Sequence, residues 1–297
     1  MKYKFLLSLL ISQTLFASTQ LVVLGSGNPN PNPERSGSAY AVIVEDTPYL
    51  VDFGPGVIRR IAALSPNWGG SIDGMNVINL EHAFLTHIHS DHTAGLSDLL
   101  LTPWVMGREN ELNLFGPAGL EGMALSLLDA YKDDIDYRMN GSQPSNGTGY
   151  KFNFTELDDG IVFKDDNLTV EAFKVNHGEF EDAYGFRFTS KDKVIVFSGD
   201  TGPSKSLEDY AKDADILVHE VYSYAGFLKK TKDWQIYHKG HHTSTYEVGE
   251  IASRAKPKLL VLSHILFWGA DEQDILEETR TTFSGNIKIA EDLMVIK

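Results

Sequence analysis

The stretch Thr86-His-Ile-His-Ser-Asp-His-Thr93 places three imidazoles and one carboxylate within six positions, His87 to His92. Only ten histidines occur in the 297 residues, so this density is hard to reach by chance. Imidazole nitrogen and carboxylate oxygen are ligands that Zn²⁺ accepts. The octapeptide therefore predicts a metal site, and the rest of the chain is interpreted from it.

The flanking residues predict that this cluster lies between a buried strand and a helix. The apolar run 82–86 is typical of a strand, and leucines recur at helical spacing over Leu96–Leu100. Side chains alternate along an extended chain, so His87 and His89 are expected to point the same way and share one metal. The remaining carboxylate and imidazole, Asp91 and His92, fall on the turn, where they can serve a second metal.

Three later segments each end an apolar strand on a residue that can ligate a metal. They are Phe173-Lys-Val-Asn-His177, Val196-Phe-Ser-Gly-Asp200 and Leu259-Leu-Val-Leu-Ser-His264. A lone His or Asp at a strand end often caps a loop, but together these three complete two sites of matching composition. An Asp after Ser-Gly can project both oxygens and bridge two cations. We therefore predict metal ligands at all three positions.

Composition limits the chemistry further. The chain has no cysteine, so no disulfide and no thiolate is available, and any metal site must use His, Asp and Glu. Such sites discriminate poorly among metals, so Mn²⁺ or Fe²⁺ stays an alternative to zinc. The net charge of −15 repels polyanions, and Lys229-Lys-Thr-Lys232 is too short to make an obvious basic patch.

The first 17 residues are predicted to be a signal peptide rather than part of the fold. Lys2 and Lys4 precede a short apolar run that ends on the small residue Ala17. We expect export to a bacterial periplasm or secretion. Residues 18–297 would then form a single domain, in which strands interspersed with helices in both halves predict two packed β-sheets with helices outside.

The ligand pattern resembles the metallo-β-lactamase superfamily, in which His-x-His-x-Asp-His is followed by single His, Asp and His on later strands. Within it the chain resembles the ribonuclease Z and arylsulfatase-like branch, from Leu21 to Ile296. The stretches that carry this likeness are Gly25-Ser-Gly-Asn-Pro with Arg35, Val51-Asp-Phe-Gly-Pro-Gly with Arg59-Arg60, Val218-His-Glu, His242-Thr-Ser-Thr, and Gly285 through Asp292-Leu-Met-Val-Ile.

The resemblance implies an αββα sandwich of the α/β class, with two mixed β-sheets flanked by helices and two Zn²⁺ ions at one edge. A hydroxide held between the ions would be the nucleophile. By the same resemblance, one metal takes His87, His89 and His177, the other takes Asp91, His92 and His264, and Asp200 bridges both.

The resemblance also implies catalytic roles for Glu220 and His242. His242 would donate a proton to the leaving group, and Glu220 would orient its ring. His241 is the competing choice for the acid. Asp91 would also help to position or deprotonate the attacking water, whereas Asp52 is expected to be a structural cap.

The substrate is predicted from what the chain lacks. Ribonuclease Z holds transfer RNA with a long arm between the third His motif and the bridging Asp, but His177 and Asp200 are only 23 positions apart. The stretch Ala130–Arg138 resembles arylsulfatase-like members, and Trp104, Phe267 and Trp268 could pack against an aromatic leaving group. We therefore predict hydrolysis of small sulfate or phosphate (diester) esters, with nucleic acid disfavoured as a partner and a homodimer left open.

Three alternatives remain at this point. A ribonuclease Z-like phosphodiesterase or nuclease would use the same residues. A lactonase or β-lactamase would use the same metals but needs no Glu–His proton donor. A metal-binding module without activity is disfavoured because none of the seven predicted ligands is missing.

Overall fold

A computed structural model describes residues 18–297, and the predicted signal peptide lies outside the described residues. The strands of the described part are β1 (Thr19–Gly25), β2 (Ala39–Val44), β3 (Thr47–Val51), β4 (His82–Phe84), β5 (Leu112–Gly116), β6 (Phe152–Glu156), β7 (Gly160–Lys164), β8 (Leu168–Lys174), β9 (Tyr184–Ser190), β10 (Val194–Phe197), β11 (Ile216–Tyr222), β12 (Leu259–Leu266), β13 (Ile287–Ile289) and β14 (Val295–Ile296).

Its α-helices are mostly short. They are α1 (Val57–Leu64), α2 (Ser90–Thr93), α3 (Leu96–Val105), α4 (Leu120–Ala130), α5 (Lys132–Asn140), α6 (Lys205–Tyr210), α7 (Tyr224–Leu228), α8 (Lys232–His241), α9 (Thr245–Ala255) and α10 (Glu272–Arg280). Among the described residues, no helix combines the length and the apolar character needed to cross a membrane.

The strands form two seven-stranded sheets, in the orders β14-β1-β2-β3-β4-β5-β6 and β13-β12-β11-β10-β9-β8-β7. Strands β3 to β6 pair in parallel, and so do β10 to β13, whereas the other neighbours are antiparallel. The predicted pair of mixed sheets with flanking helices is confirmed.

Strand β1 shows how the layers are packed. Leu21 and Val23 face the core between the two sheets, while Val22 and Leu24 face the core under α1 and α3. A third core lies between the second sheet and α6, α9 and α10. Both faces of these central strands are therefore buried, which explains their continuous apolar runs in the sequence.

The topology gathers the predicted ligands at one edge of the sandwich. The octapeptide follows the carboxyl end of β4, and His177 and Asp200 follow those of β8 and β10. His264 lies in β12 itself, two residues before the strand ends at Leu266. Strands that run in the same direction end at the same edge, so segments far apart in sequence meet there.

Close backbone packing fixes the octapeptide against the first sheet. A Cβ atom on Gly54, after β3, would lie 2.2 Å from the carbonyl oxygen of Asp91 and 2.5 Å from the carbonyl carbon of Gly37. Only glycine fits there without a backbone shift. The Gly-Pro-Gly turn therefore packs directly against the backbone of α2.

Some elements differ from the sequence-based prediction. The sequence did not predict helices α5, α7 and α8 or strand β6. The closing segment, 287–296, forms two strands, β13 and β14, which join different sheets. In α8, Asp233 lies in the first turn and Lys239 and His241 lie in the last. The charges of Asp233 and Lys239 complement the helix dipole and support the helix, which has no strong apolar period.

Candidate metal centre

The first group of donor atoms is made by three histidines. His87 and His89 point the same way, with His87 Nε2 3.1 Å from His89 Nδ1. His177 Nε2 lies 3.3 Å from the same His89 nitrogen. The alternation expected from an extended chain therefore brings His87 and His89 together, and β8 delivers the third ring.

The hydrogen bonds on the far side of these rings identify which nitrogens are free. His87 Nδ1 lies 3.0 Å from the Thr86 hydroxyl, which itself donates to Asp52, so the ring nitrogen is the donor. His177 Nδ1 donates to the carbonyl oxygen of His241 at 2.9 Å. In each ring Nε2 is left with a lone pair. These lone pairs converge on His89, an arrangement that a cation stabilises.

The second group contains Asp91, His92 and His264. Asp91 Oδ2 lies 3.0 Å from His264 Nε2 and 3.4 Å from His92 Nε2. Among the described residues, His92 Nε2 is buried and has no hydrogen-bond partner. A buried nitrogen without a partner is costly, and a bound metal would remove that cost.

Asp200 lies between the two groups. Its Oδ1 is 3.6 Å from His92 Nε2, and its Oδ2 is 3.9 Å from His87 Nε2. Burial alone would raise the pKa of Asp200, but His264 and His92 hold it well below its usual range. The carboxylate is therefore charged and reaches ligands of both groups.

The structure brings all seven predicted ligands together, and the donor set fits divalent cations. The potential ligand atoms of His87, His89, His177 and Asp200 lie within 4.8 Å of one another, as do those of Asp91, His92 and His264. Burial lowers the pKa of His87 well below its usual value and that of His177 to about 4. Both rings are neutral at pH 7, the state that binds a metal.

Asp52 supports both groups, which the sequence did not reveal. Its Oδ2 lies 2.7 Å from His92 Nδ1, and its Oδ1 accepts from the backbone and hydroxyl of Thr86, which contacts His87. The sequence predicts a structural cap at Asp52, and in the structure Asp52 also orients the ring of His92, a predicted metal ligand. A carboxylate behind a ligating histidine fixes its tautomer and raises its basicity.

Replacing Asp52 by Asn is expected to weaken metal binding at the His92 group about 10- to 100-fold. Asp52 has a φ of 58°, a conformation that Asn also tolerates, so the backbone should be kept. The amide nitrogen cannot accept the His92 proton. Zinc titration against a competing chelator measures the change. Asp98→Asn, on α3, is the matched control, and equal affinity in the two variants would contradict the orienting role.

Glu220 and His242 lie beside the ligands. Glu220 Oε2 is 3.4 Å from His242 Nδ1, which is 4.0 Å from Asp200 Oδ2, and Glu220 Oε1 accepts from the backbone of Thr243 at 2.8 Å. Burial and the nearby Asp200 raise the pKa of Glu220 well above its usual range, whereas burial lowers that of His242 to about 4. The two groups are placed to share one proton.

His241 is placed differently from His242. Its Nδ1 donates to the carbonyl oxygen of Tyr237 at 2.7 Å, and its Nε2 lies 3.1 Å from the exposed Glu179. Its backbone carbonyl accepts from His177, and its ring meets the ring of His177 edge to face with centroids 5.2 Å apart. Between the two competing candidates for a proton donor, the geometry favours His242.

Several residues predicted to be near the substrate or structural can now be located. Trp104 is 2% exposed and packs in the core under the first sheet, so it is not positioned to meet a leaving group. Phe267 and Trp268 line a cavity with Asn28 beside the ligand edge. His82 stacks on Tyr49, with ring centroids 5.4 Å apart, away from the ligand cluster.

Comparison with known proteins adds the family context. A protein-family model described as "Beta-lactamase superfamily domain" matches residues 47–265. Ribonuclease Z of Mycobacterium bovis (strain BCG / Pasteur 1173P2) is 31% identical over 285 residues, covering 92% of this chain and 96% of that protein. Ribonuclease Z of Mycolicibacterium gilvum (strain PYR-GCK) is 30% identical over 283 residues, covering 92% and 94%.

Solved structures share the fold. The metallo-beta-lactamase fold protein YhfI from Bacillus subtilis superposes with a TM-score of 0.71 at 20% identity, covering 94% of this chain and all of that one. The short form of human tRNase Z superposes with a TM-score of 0.67 at 21% identity, covering 94% and 98%. At these identities the likeness supports the architecture alone.

The prediction of a small-molecule ester substrate, with nucleic acid disfavoured, is wrong. Relatives matched over nearly their whole length are named ribonucleases. The missing arm does not separate this chain from them, because near-complete mutual coverage means similar lengths. Net charge also misled, because it averages over the whole chain, whereas nucleic-acid binding depends on a local surface.

Proposed function

The chain belongs to the metallo-β-lactamase superfamily, in its ribonuclease Z branch, and from this membership we propose that it hydrolyses phosphodiester bonds in RNA. Members of this branch are metal-dependent hydrolases of ester bonds, so the reaction class is given. The proposal adds the substrate and the cofactor, two Zn²⁺ ions held by His87, His89 and His177, by Asp91, His92 and His264, and by Asp200 between them.

The observation that carries the proposal is the position of the Glu220–His242 pair against Asp200. Cleaving a ribose–phosphate ester releases an alkoxide, a poor leaving group that needs a proton. A phenoxide, as released from an aryl ester, makes less demand on such a donor. A buried pair 3.4 Å apart, next to the ligand cluster, supplies what RNA cleavage requires.

Each residue around the metal site is assigned one step of the hydrolysis. When bound, the cations lower the pKa of the attacking water and offset the charge of the phosphate. Asp91 positions that water and accepts the proton that it loses as its oxygen adds to phosphorus and the ester P–O bond breaks. His242 gives its Nε2 proton to the leaving oxygen, while the Glu220 proton moves to His242 Nδ1. The pair ends as a carboxylate and a neutral ring.

The test is cleavage of RNA by the zinc-loaded protein. A transfer-RNA transcript with extra 3′ nucleotides, an unstructured RNA of equal length and DNA of the same sequence would be compared on gels. We expect cut RNA, loss of cutting with chelator and recovery with Zn²⁺. Failure of the loaded protein to cut either RNA would overturn the proposed substrate. Export to the periplasm and a homodimer stay predictions that this assay does not address.

A further inference from the structure

The segment from Tyr224 to His242, which contains α7 and α8, is basic within an acidic chain. It holds four lysines and one aspartate, whereas the whole chain has a net charge of −15. Within residues 18–297 these lysines have no carboxylate at ion-pair distance, unlike four lysines elsewhere in the fold. They form a local positive surface that net charge conceals.

An aromatic column runs from this surface to the proton-donor pair. Trp234 is 54% exposed on α8 and stacks on His238 one turn later, with ring centroids 5.3 Å apart. His238 lies 5.8 Å from His242, whose Nδ1 is 4.0 Å from Asp200. The residues recur every four positions, so one face of the helix carries the column.

A second column starts three residues after Trp234. Tyr237 is 37% exposed and stacks on His241 at 4.0 Å. His241 in turn lies 5.2 Å from His177, a candidate metal ligand. Trp234 and Tyr237 meet edge to face at 5.6 Å, so the outer ends of both columns form one exposed aromatic surface.

Lysines surround this aromatic surface. Lys230 lies over the ring of Trp268 at 4.6 Å, and Trp268 packs against His238 at 4.4 Å. Lys229 is exposed just before α8, Lys232 is exposed at its first position, and Lys239 is exposed in its last turn. Cations beside exposed rings match the alternating phosphates and bases of a single strand.

We propose that this surface, the α8 platform formed by Lys229, Lys230, Lys232, Trp234, Tyr237 and Lys239, binds a single-stranded segment of the RNA next to the cleavage site. The inference rests on the proposed function and names the part of the protein that holds the substrate. Bases stack on Trp234 and Tyr237, and the lysines contact phosphates.

Binding of a fluorescein-labelled 12-nucleotide uridylate to the zinc-loaded protein tests the platform, with anisotropy read while gels show an intact strand. The double variant Trp234→Ala and Tyr237→Ala is expected to bind about tenfold or more weakly. Trp234→Phe and Tyr237→Phe keep the rings and should keep most of the affinity. Replacing Lys229 and Lys232 by Ala should reduce the slope of log affinity against log salt by about 1.4.

Matched controls lie elsewhere on the surface. Trp68 is 71% exposed after α1, so Trp68→Ala removes an exposed ring outside the platform. Lys164 and Lys212 are exposed and, among the described residues, have no ion pair, so their double Ala variant removes two charges elsewhere. Both controls should bind as wild type. Equal affinity of all variants, or a platform variant that changes only the oligomeric state, would overturn the inference.

Failure of this inference can be told from failure of the proposed function. Bis(4-nitrophenyl) phosphate is too small to reach Trp234 from the metal centre, so the ring variants should hydrolyse it normally while cutting RNA more slowly. If the wild type cuts RNA and the ring variants bind and cut it equally well, the platform alone is refuted. Wild type that binds the strand through these rings but cuts no RNA would refute the proposed reaction alone.

Discussion

Replacing Asp200 by Ala is expected to remove metal from both sites and to reduce RNA cleavage by about 10³-fold or more. The Asp200 carboxylate lies within 4.0 Å of donor atoms in both groups, so its loss leaves each set one ligand short and removes the charge between them. Metal content per chain, measured by elemental analysis after dialysis, is the primary readout, and cleavage is the second.

The control is Asp182→Ala, an exposed carboxylate in the same stretch between His177 and Asp200 that pairs with Lys174. It should keep full metal content and activity. Retention of a full metal complement by the Asp200 variant would show that the two groups bind independently, and the bridging role would have to be abandoned. Circular dichroism on both variants separates metal loss from loss of the fold.

Replacing His242 by Ala is expected to leave metal content unchanged and to slow RNA cleavage about 10²- to 10⁴-fold. Its Nδ1 lies next to Glu220, and none of the predicted ligand sets requires it. Bis(4-nitrophenyl) phosphate should be affected far less, because 4-nitrophenolate leaves without a proton. The ratio of the two turnover numbers is the measurement that isolates the proton donor.

His241→Ala and Glu220→Gln complete this experiment. Glu220→Gln keeps a hydrogen-bonding side chain but removes the proton that moves to His242, so it should give the same substrate-dependent loss. In the His241 variant, the rate of RNA cleavage should stay near that of the wild type. If the His241 variant showed the loss and the His242 variant did not, the acid would be assigned to the wrong ring.

The clustering of the candidate metal ligands could be predicted because their chemistry is concentrated in short motifs. His87 and His89 follow from strand alternation alone, and the structure brings them within 3.1 Å. His177, Asp200 and His264 each look ordinary and became candidates only as a set. Their meeting depends on parallel strand order, which is reflected in the sequence as buried apolar runs before each polar residue.

Other features could not be read from sequence because they depend on contacts between distant segments. Asp52 meets His92 across 40 positions, and no local pattern marks that hydrogen bond. Helix α8 has no strong apolar stripe, so its sequence did not predict a helix. Its aromatic columns depend on the packing of His238 against His242 and Trp268, which only the folded chain shows. The substrate prediction failed for the same reason, since one basic helix contributes little to a net charge of −15.

The donor atoms come from both sheets, and this has a consequence for the lifetime of the chain. His89 meets His177 across 88 positions, and Asp91 meets His264 across 173, so a metal ion bound to either group would tie together the two halves of the sandwich. A ligand that binds only the folded state lowers the population of open forms that proteases attack. The supply of divalent metal would then govern how long each copy of the enzyme survives, in addition to how fast it works.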